Sequence, residues 1–279
     1  EIEDNYKFKK VLVIYNFFTK NLKNKILNNK NKLKLNKNSE LHVIEYTINE
    51  SKSKFINNSY ENIFLEENSK LKNLHIQSNK SDGFFHKFLK SKLCSNSNYS
   101  NFIFSSGLKF NKLDIECNLV GEKAHCNILS GLFLKKDEHQ EIKTCINHLS
   151  PNCKSYQKVK KVLNAESKGI FQGKIYVKDV AQRTDAYQLS KALLLNDNAE
   201  FNSKPELEIY ADDVKCSHGS TSGSIDENSL HYLMTRGLNR QISMKLLIKG
   251  FLNDIVELIR SPSIKKFVED KLEEQVNEY

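Results

Sequence analysis

Over the first two-thirds of the chain, apolar and polar residues alternate in short runs, and polar turns break the runs apart. The runs are Lys10–Tyr15, Leu41–Thr47, Asn62–Leu65, Leu71–Ile76, Asn101–Phe104, Leu113–Asn118, Ala124–Leu129, Leu132–Leu134, Thr144–His148, Gly169–Val177 and Leu207–Tyr210. Alternation with a period of two is the mark of a strand with one buried face. Several separators look alike: Glu67–Leu71, Gly121–His125 and Asn196–Phe201 each run from a tight polar turn straight into a strand. Helical patterns between the strands are few, which argues against βαβ units. A sandwich, a barrel or a β-solenoid remains. The turn spacing alone does not choose among them.

The last fifth changes period. Ser224 followed by Glu227 has the form of a capping box. Leu230, Leu233, Met234 and Leu238 then fall on one helical face, and Gly237 is placed to end that helix. Ile242, Leu246, Phe251, Ile255, Val256 and Ile259 continue at helical spacing. Ser261 and Pro262 start another helix, with a stripe through Ile264, Phe267, Val268, Leu272 and Val276. The expected division is a β body over 1–222 and a helical tail over 223–279. The stripes pack on the body or on each other, or they form a docking face for a partner.

Charge asks first for a nucleic-acid reading, because the 279 residues carry a formal net charge of +9. The basic residues are 39 Lys and only 4 Arg, beside 32 Asn. Arg is the side chain suited to bidentate phosphate and guanine contacts, and here it is scarce. The positive charge also concentrates at one end: Asn5 to Ser39 holds ten Lys and no acid. Residues 16–40 read as a solvated Lys/Asn-rich insert, and the Lys and Asn excess reads as a bias of an AT-rich genome. No apolar run approaches the roughly 18–20 residues of a membrane span. The chain begins at Glu1 without a signal-like core, as expected of a processed or trimmed form. Six Cys (94, 117, 126, 145, 153, 216) in a chain this long give no disulfide framework and point to a reducing compartment.

Chemistry is sparse. There is no G-x-S-x-G, G-x-G-x-x-G or G-x-x-x-x-G-K-[ST]. Asp212 and Asp213 are adjacent, so on a strand they face opposite ways and suit a turn better than acid/base work. Cys145, His148 and Cys153 form a loose C-x2-H-x4-C without a second pair, a weak zinc signal. Cys216 and His218 are two apart, so on a strand they share one face, and both are ligands for soft metals or iron. Two ligands do not close a site. Others of this chain or a partner chain must complete it, unless the pair is a plain strand-end Cys and His.

The stretch Lys204-Pro-Glu-Leu-Glu-Ile-Tyr-Ala-Asp-Asp-Val-Lys-Cys-Ser-His-Gly-Ser-Thr221 closely resembles the signature of the SufD type of the SufB/SufD family, scaffold components of the SUF iron–sulfur assembly system. Gly169-Ile-Phe-Gln-Gly-Lys174, Ala181-Gln-Arg-Thr-Asp-Ala-Tyr-Gln188, His148-Leu-Ser-Pro-Asn-Cys-Lys-Ser155 and Ser130-Gly-Leu-Phe133 extend the resemblance, as do Leu230–Leu238 and Ile248–Phe251. The clear similarity covers about residues 100–260. It implies a mainly β fold, a right-handed parallel β-helix with a C-terminal α-helical domain. It implies pairing with SufB and binding of the ATPase SufC, so that ATP hydrolysis belongs to the partner and this chain is a non-catalytic scaffold. It places His218 at the SufB interface, where a transient iron–sulfur cluster is shared, with Cys216 as a second ligand. Tyr232, Leu233, Arg236 and Gly237 fall in the helical stretch facing SufC. The resemblance and the composition together suggest the stroma of a relict plastid, and a β-helix edge made for SufB allows a homodimer when SufB is missing. The N-terminal helical domain usual in the family is not visible in this sequence.

Two other functions stay open on sequence alone. A β-solenoid enzyme acting on polysaccharide needs carboxylates or basic residues clustered on one face. A nucleic-acid-binding module needs its lysines on phosphates. Expected instead is weak, sequence-blind binding to nucleic acid that vanishes near physiological salt. A titration against salt concentration tests this, and steep salt dependence of a tight complex would restore the nucleic-acid reading.

Overall fold

The computed structural model describes residues 1–51, 53–77 and 80–278. Every alternating run overlaps a strand, two of them sharing the strand His125–Leu134, and each strand pairs in parallel with the next strand of its own sheet. The strands are β1 (Leu12–Phe18), β2 (Ile26–Leu35), β3 (Glu40–Asn49), β4 (Ile56–Leu65), β5 (Lys70–Gln77), β6 (Ser81–Leu93), β7 (Asn98–Ser106) and β8 (Leu108–Leu119). They continue as β9 (His125–Leu134), β10 (His139–His148), β11 (Lys154–Leu163), β12 (Lys168–Val177), β13 (Thr184–Leu194), β14 (Glu200–Ile209) and β15 (Val214–Ser224). Odd strands make one sheet in the order β1-β3-β5-β7-β9-β11-β13-β15, and even strands make the other, β14-β12-β10-β8-β6-β4-β2. Glu40 pairs with Lys70, Lys70 with Asn98, Asn98 with His125, His125 with Lys154, and Lys154 with Asp185. One turn therefore takes close to thirty residues, and the chain is a parallel β-solenoid of about 7 turns.

The coil turns sharply where an even strand passes to the next odd one. At that corner Asn38, Asn68, Asn96, Lys123, Asn152 and Arg183 all have positive φ, between 57° and 61°. Each stacks on its equivalent one turn later through its backbone. The N–H of Asn38 donates to the Glu67 carbonyl at 2.9 Å, that of Asn68 to Ser95 at 3.0 Å and that of Asn96 to Glu122 at 2.9 Å. Asn tolerates the left-handed region better than other side chains with a Cβ. It also adds a side-chain ladder, with Asn68 Nδ2 on Asn38 Oδ1 at 2.9 Å and Asn38 Nδ2 on Asn5 Oδ1 at 3.0 Å. Six of the ten non-glycine residues with positive φ among those described are Asn. The asparagine excess thus has a structural use beyond genome bias. Gly121 sits at the same corner for a different reason: a Cβ there would lie 2.0 Å from the Ser95 nitrogen.

Inside the coil, equivalent side chains stack in columns. Leu35, Leu65, Leu93 and Leu119 lie one above another at the ends of the even strands, all fully buried. The next rung puts His148 in that leucine column and the following one Val177. His148 is fully buried, its Nε2 is 2.9 Å from Ser155 Oγ, and burial pushes its pKa down to about 4.

Alternation alone did not disclose β2, β6, β11 and β13, although the resemblance implied strands over Ala181–Gln188 and Leu193–Leu195, which β13 overlaps. β11 reads Lys-Ser-Tyr-Gln-Lys-Val-Lys-Lys-Val-Leu, too basic for an ordinary buried strand. Three of its four lysines, Lys158, Lys160 and Lys161, are covered. Lys161 points into the coil and donates to the Gln140 and Ile170 carbonyls, with burial pushing its pKa down to about 7. Lys158 and Lys160 lie beneath the helices. Residues 16–40, read as an insert, hold the end of β1, a 3-10 turn at Lys20–Leu22, β2 and the first residue of β3. β2 pairs with β4 from Ile26–Ile56 to Leu35–Leu65, so its lysines decorate a rung of the coil.

Three helices follow β15: α1 (Glu227–Thr235), α2 (Arg240–Val256) and α3 (Pro262–Asn277). Ser224 is not the cap of α1 but the last residue of β15. The cap is Asp226, whose carboxylate accepts from the Asn228 and Ser229 N–H groups at 3.3 and 3.0 Å. α2 and α3 fold back over the outer face of the odd sheet. Ile248, Leu252, Ile255, Val256, Val268, Leu272 and Val276 pack on Leu74, Ile76, Phe102, Phe104, Phe133 and Val162. Asp254 anchors the seam, 2.8 Å from Lys158 and 2.5 Å from Lys160, while Lys160 also donates to the Phe251 carbonyl at 2.8 Å. Burial works against the Asp254 carboxylate, yet hydrogen bonds from the two lysines hold its pKa below the usual range. Of the second apolar stripe, Ile255 and Val256 face the coil, whereas Ile242 and Leu246 are exposed.

His148 gives the fold a signed pH dependence. Its folded pKa lies below the unfolded one near 6.5, so the unfolded chain binds the extra proton, and stability is lost as pH falls from about 6.5 to 4. Expected for His148→Leu is a stability gain relative to wild type that grows on acidification by on the order of 3 kcal/mol. Denaturant melts of both proteins at pH 7 and pH 4 check it; a difference independent of pH would refute the assignment.

Candidate functional site

β15 carries the Cys-Ser-His stretch, and the turn before it is fixed by backbone contacts. The Asp213 N–H donates to Gln182 Oε1 at 2.9 Å, and its carbonyl accepts from the Arg183 N–H. The Asp212 carbonyl accepts from the Val214 N–H at 3.2 Å. Asp212 and Asp213 are thus turn residues, as their adjacency suggested; their backbones make the hydrogen bonds, and the Asp213 carboxylate lies 3.6 Å from Arg183 Nε.

Register then decides where the next side chains go. β15 pairs with β13 so that Cys216 lies beside Ala186 and His218 beside Gln188. Ala186 and Gln188 are buried inside the coil. Gln188 donates to the Gly173 carbonyl at 3.2 Å and accepts from Gln157 Nε2 at 3.3 Å. Cys216 and His218 therefore continue an inward-facing column, on a last rung that has no rung beyond it. They share one face, as the two-residue spacing predicted. Cys216 is half-buried against the cluster of Ile175, Val177, Ala181, Ala186 and Ala211, and burial pushes its thiol pKa up. It is a protected thiol rather than an activated nucleophile. His218 is exposed. The same rung leaves β14 and β15 as sheet ends, each with one unpaired backbone edge. Tyr210, at the end of β14, is 60% exposed.

The looser C-x2-H-x4-C motif is not brought together. Cys145 lies on the outer surface of β10, its Sγ on Asn147 Oδ1 at 3.4 Å. His148 belongs to the interior leucine column. Cys153 is buried at the corner, with its Sγ 3.3 Å from the Gly121 carbonyl, and burial pushes its pKa up to about 11. Among the described residues, one group of three His, Cys, Asp or Glu side chains places its ligand atoms within 4.8 Å of one another, and it contains none of these. Cys117 and Cys126 are free thiols in the apolar core.

The outer face of the even sheet bears carboxylates, but basic side chains from neighbouring rungs hold three of them. Glu116 lies 2.9 Å from Lys90, Asp114 2.8 Å from His86, and Glu141 3.5 Å from Lys112. Such ladders solvate a face; they do not leave a free acid/base pair.

On the helical tail, Tyr232 is 57% exposed and the Arg236 guanidinium stands 5.1 Å from its ring centroid. Leu233 is half-buried, and Gly237 ends the turn with φ of 91° while its N–H reaches the Met234 carbonyl at 3.0 Å. Glu227 ties α1 to α2 through Arg240 at 3.1 Å. Met234, Ile242 and Leu246 are exposed on the same two helices. Sequence periodicity put these three on stripes that either pack or form a docking face; the directions of α1 and α2 show that these three are left uncovered.

The family profile described as SUF system FeS cluster assembly, SufBD core domain, matches residues 17–251. The iron–sulfur cluster assembly protein SufD of Escherichia coli is 37% identical over 54% of this chain and 36% of its own length. The SufBD family protein slr0076 of Synechocystis is 30% identical over 76% of the chain and 47% of its own length. Protein ABCI7, chloroplastic, of Arabidopsis thaliana is 27% identical over 81% of the chain and 48% of its own length. The chain spans a third to a half of the length of these relatives. With a coil of parallel rungs, a helical tail folded on it and a profile match across most of its length, the chain belongs to the SufBD core-domain family of the SUF iron–sulfur cluster assembly system.

Proposed function

We propose that this chain is a non-catalytic scaffold subunit of a SUF complex, pairing with a SufB-type partner at its last rung and holding a SufC-type ATPase on the α1–α2 hairpin. The observation that carries this is the placing of Cys216 and His218 in an inward column on an uncovered rung. An imidazole and a thiol there are two ligands short of a closed site, and a partner rung stacked on β15 would supply the remainder. The cluster is the cargo of that shared site, built there and passed on. The unpaired edges of β14 and β15 support the pairing mode, since parallel rungs extend by main-chain hydrogen bonds. The same edges would join two copies of this chain when the partner is missing.

The exposed aromatic, Arg and apolar side chains on α1 and α2 have the composition of an interface centre. They support the reading of Tyr232, Leu233, Arg236 and Gly237 as partner contacts. ATP enters the cycle through that partner; no phosphate-binding loop is present in this chain's sequence. A plastid location rests on the chloroplastic relative and on the Lys/Asn-rich, Arg-poor composition. No helix of the described residues is long and apolar enough to cross a membrane.

The decisive experiment is co-purification with SufB and SufC homologues followed by anaerobic cluster reconstitution, read by absorbance. His218→Ala is expected to leave the ternary complex intact and to abolish most cluster formation; full cluster formation with the variant would overturn the site. Tyr232→Ala combined with Arg236→Ala is expected to cost about 2 kcal/mol or more in SufC affinity, measured by calorimetry, with SufB pairing unchanged. Loss of both partners together would mean instead that the hairpin is structural.

A further inference from the structure

The inward columns of the coil are apolar over much of their length, but in the first turns they are charged. Glu45 on β3 and His75 on β5 are neighbours in register and point inward from the odd sheet. Glu61 on β4 and Lys87 on β6 reach them from the even sheet. Lys87 Nζ lies 2.9 Å from Glu45 Oε2, 2.6 Å from Glu61 Oε2 and 3.3 Å from His75 Nδ1. His75 Nδ1 is itself 3.0 Å from Glu45 Oε2. The two carboxylates and the imidazole therefore converge on one cation, with their ligand atoms all within 4.8 Å of one another. A cavity of about 460 Å³ adjoins them, lined also by Asn29, Asn57 and Gln77.

Asn73 supplies an independent pointer. It is 3% exposed, its Nδ2 faces His75 Nε2 at 3.0 Å, and its Oδ1 has no hydrogen-bond partner. The oxygen and nitrogen of an amide are assigned by their neighbours. Turned over, Asn73 presents Oδ1 to an Nε2–H and leaves the Nδ1 lone pair facing Glu45, Glu61 and Lys87, with Nδ2 then taking the unpartnered position. An imidazole held on one nitrogen by an acceptor, with its other nitrogen aimed at carboxylates, is the arrangement of a metal-binding histidine.

We propose that Glu45, Glu61 and His75 form an interior site for a divalent first-row transition metal ion, and that the ion and the Lys87 ammonium exchange at the same position. Two carboxylates balance a divalent ion without the lysine. The nitrogen and oxygen ligands suit manganese, iron, cobalt or zinc, and no thiol takes part. Lys87, 23% exposed in its side chain, has the adjoining cavity into which to withdraw. The ammonium touches both carboxylates, so it is a strong competitor for the same position. The site stands apart from the last rung and does not depend on the role given to His218.

Anaerobic titration of the full chain with Co²⁺, followed by visible absorbance, tests this. Expected is one ion per chain with ligand-field bands and no thiolate charge-transfer band. Asn73→Ala should weaken binding about tenfold, Glu61→Gln and His75→Ala by more, and Lys87→Met should tighten it. If Lys87→Met is unfolded alone, recovery of a cooperative melt on adding Co²⁺ supports the site equally, and failure to fold with the ion overturns it. Binding by Glu61→Gln as tight as wild type, thiolate bands, or a Lys87→Met protein that binds no tighter would each overturn it.

Discussion

Parallel strands stacked in register put every side chain directly above its equivalent one turn away, about 4.8 Å distant. Nearly everything else in this molecule follows from that spacing. Leucine lies on leucine, asparagine on asparagine, and each rung satisfies its backbone only through the rungs on either side. The corner holds the register. Its left-handed residues hand their N–H groups to the next turn, so the coil cannot slip by one residue without breaking a row of these bonds at once. The same rule makes the two ends of the coil different from its middle. There the columns continue and the partners stop, and Cys216 and His218 stand at such a place.

The helical tail has a second kind of dependence. Its buried apolar residues form one cluster with the outer face of the odd sheet, on which it rests. That face would otherwise expose Leu74, Phe102, Phe104 and Phe133. Asp254 pins the seam against two lysines that a strand would not ordinarily bury. With α2 and α3 committed to the coil, α1 and the first turns of α2 are what remains to meet another protein.

Much of this was legible beforehand, and the failures have physical causes. The strands with branched apolar residues inside, such as β3 and β12, announced themselves through alternation. β11 did not, because its lysines find partners that sequence cannot show: carbonyls inside the coil for Lys161, Asp254 and Phe251 outside for Lys160. β2 hid for the opposite reason, since Asn and Lys on a terminal rung mimic a solvated loop. The solenoid itself was not derivable from turn spacing, because the turns vary by a few residues while the register does not. The sharing of a face by Cys216 and His218 followed from strand period alone. That their face is an interior column laid open at the end of the coil needed the pairing with Ala186 and Gln188. The interior cluster around Glu45 was invisible, as its members come from four strands and two sheets.

The leucine column broken by His148 carries a lesson about length. A coil with one repeating unit measures distance in whole turns. Removing or adding about thirty residues moves one end relative to the other by a single strand spacing, roughly 4.8 Å, and leaves every remaining column aligned. Removing five residues would throw each column out of phase. The coil is in this sense a ruler with fixed graduations, and the separation between its first rungs and its last can change only by steps.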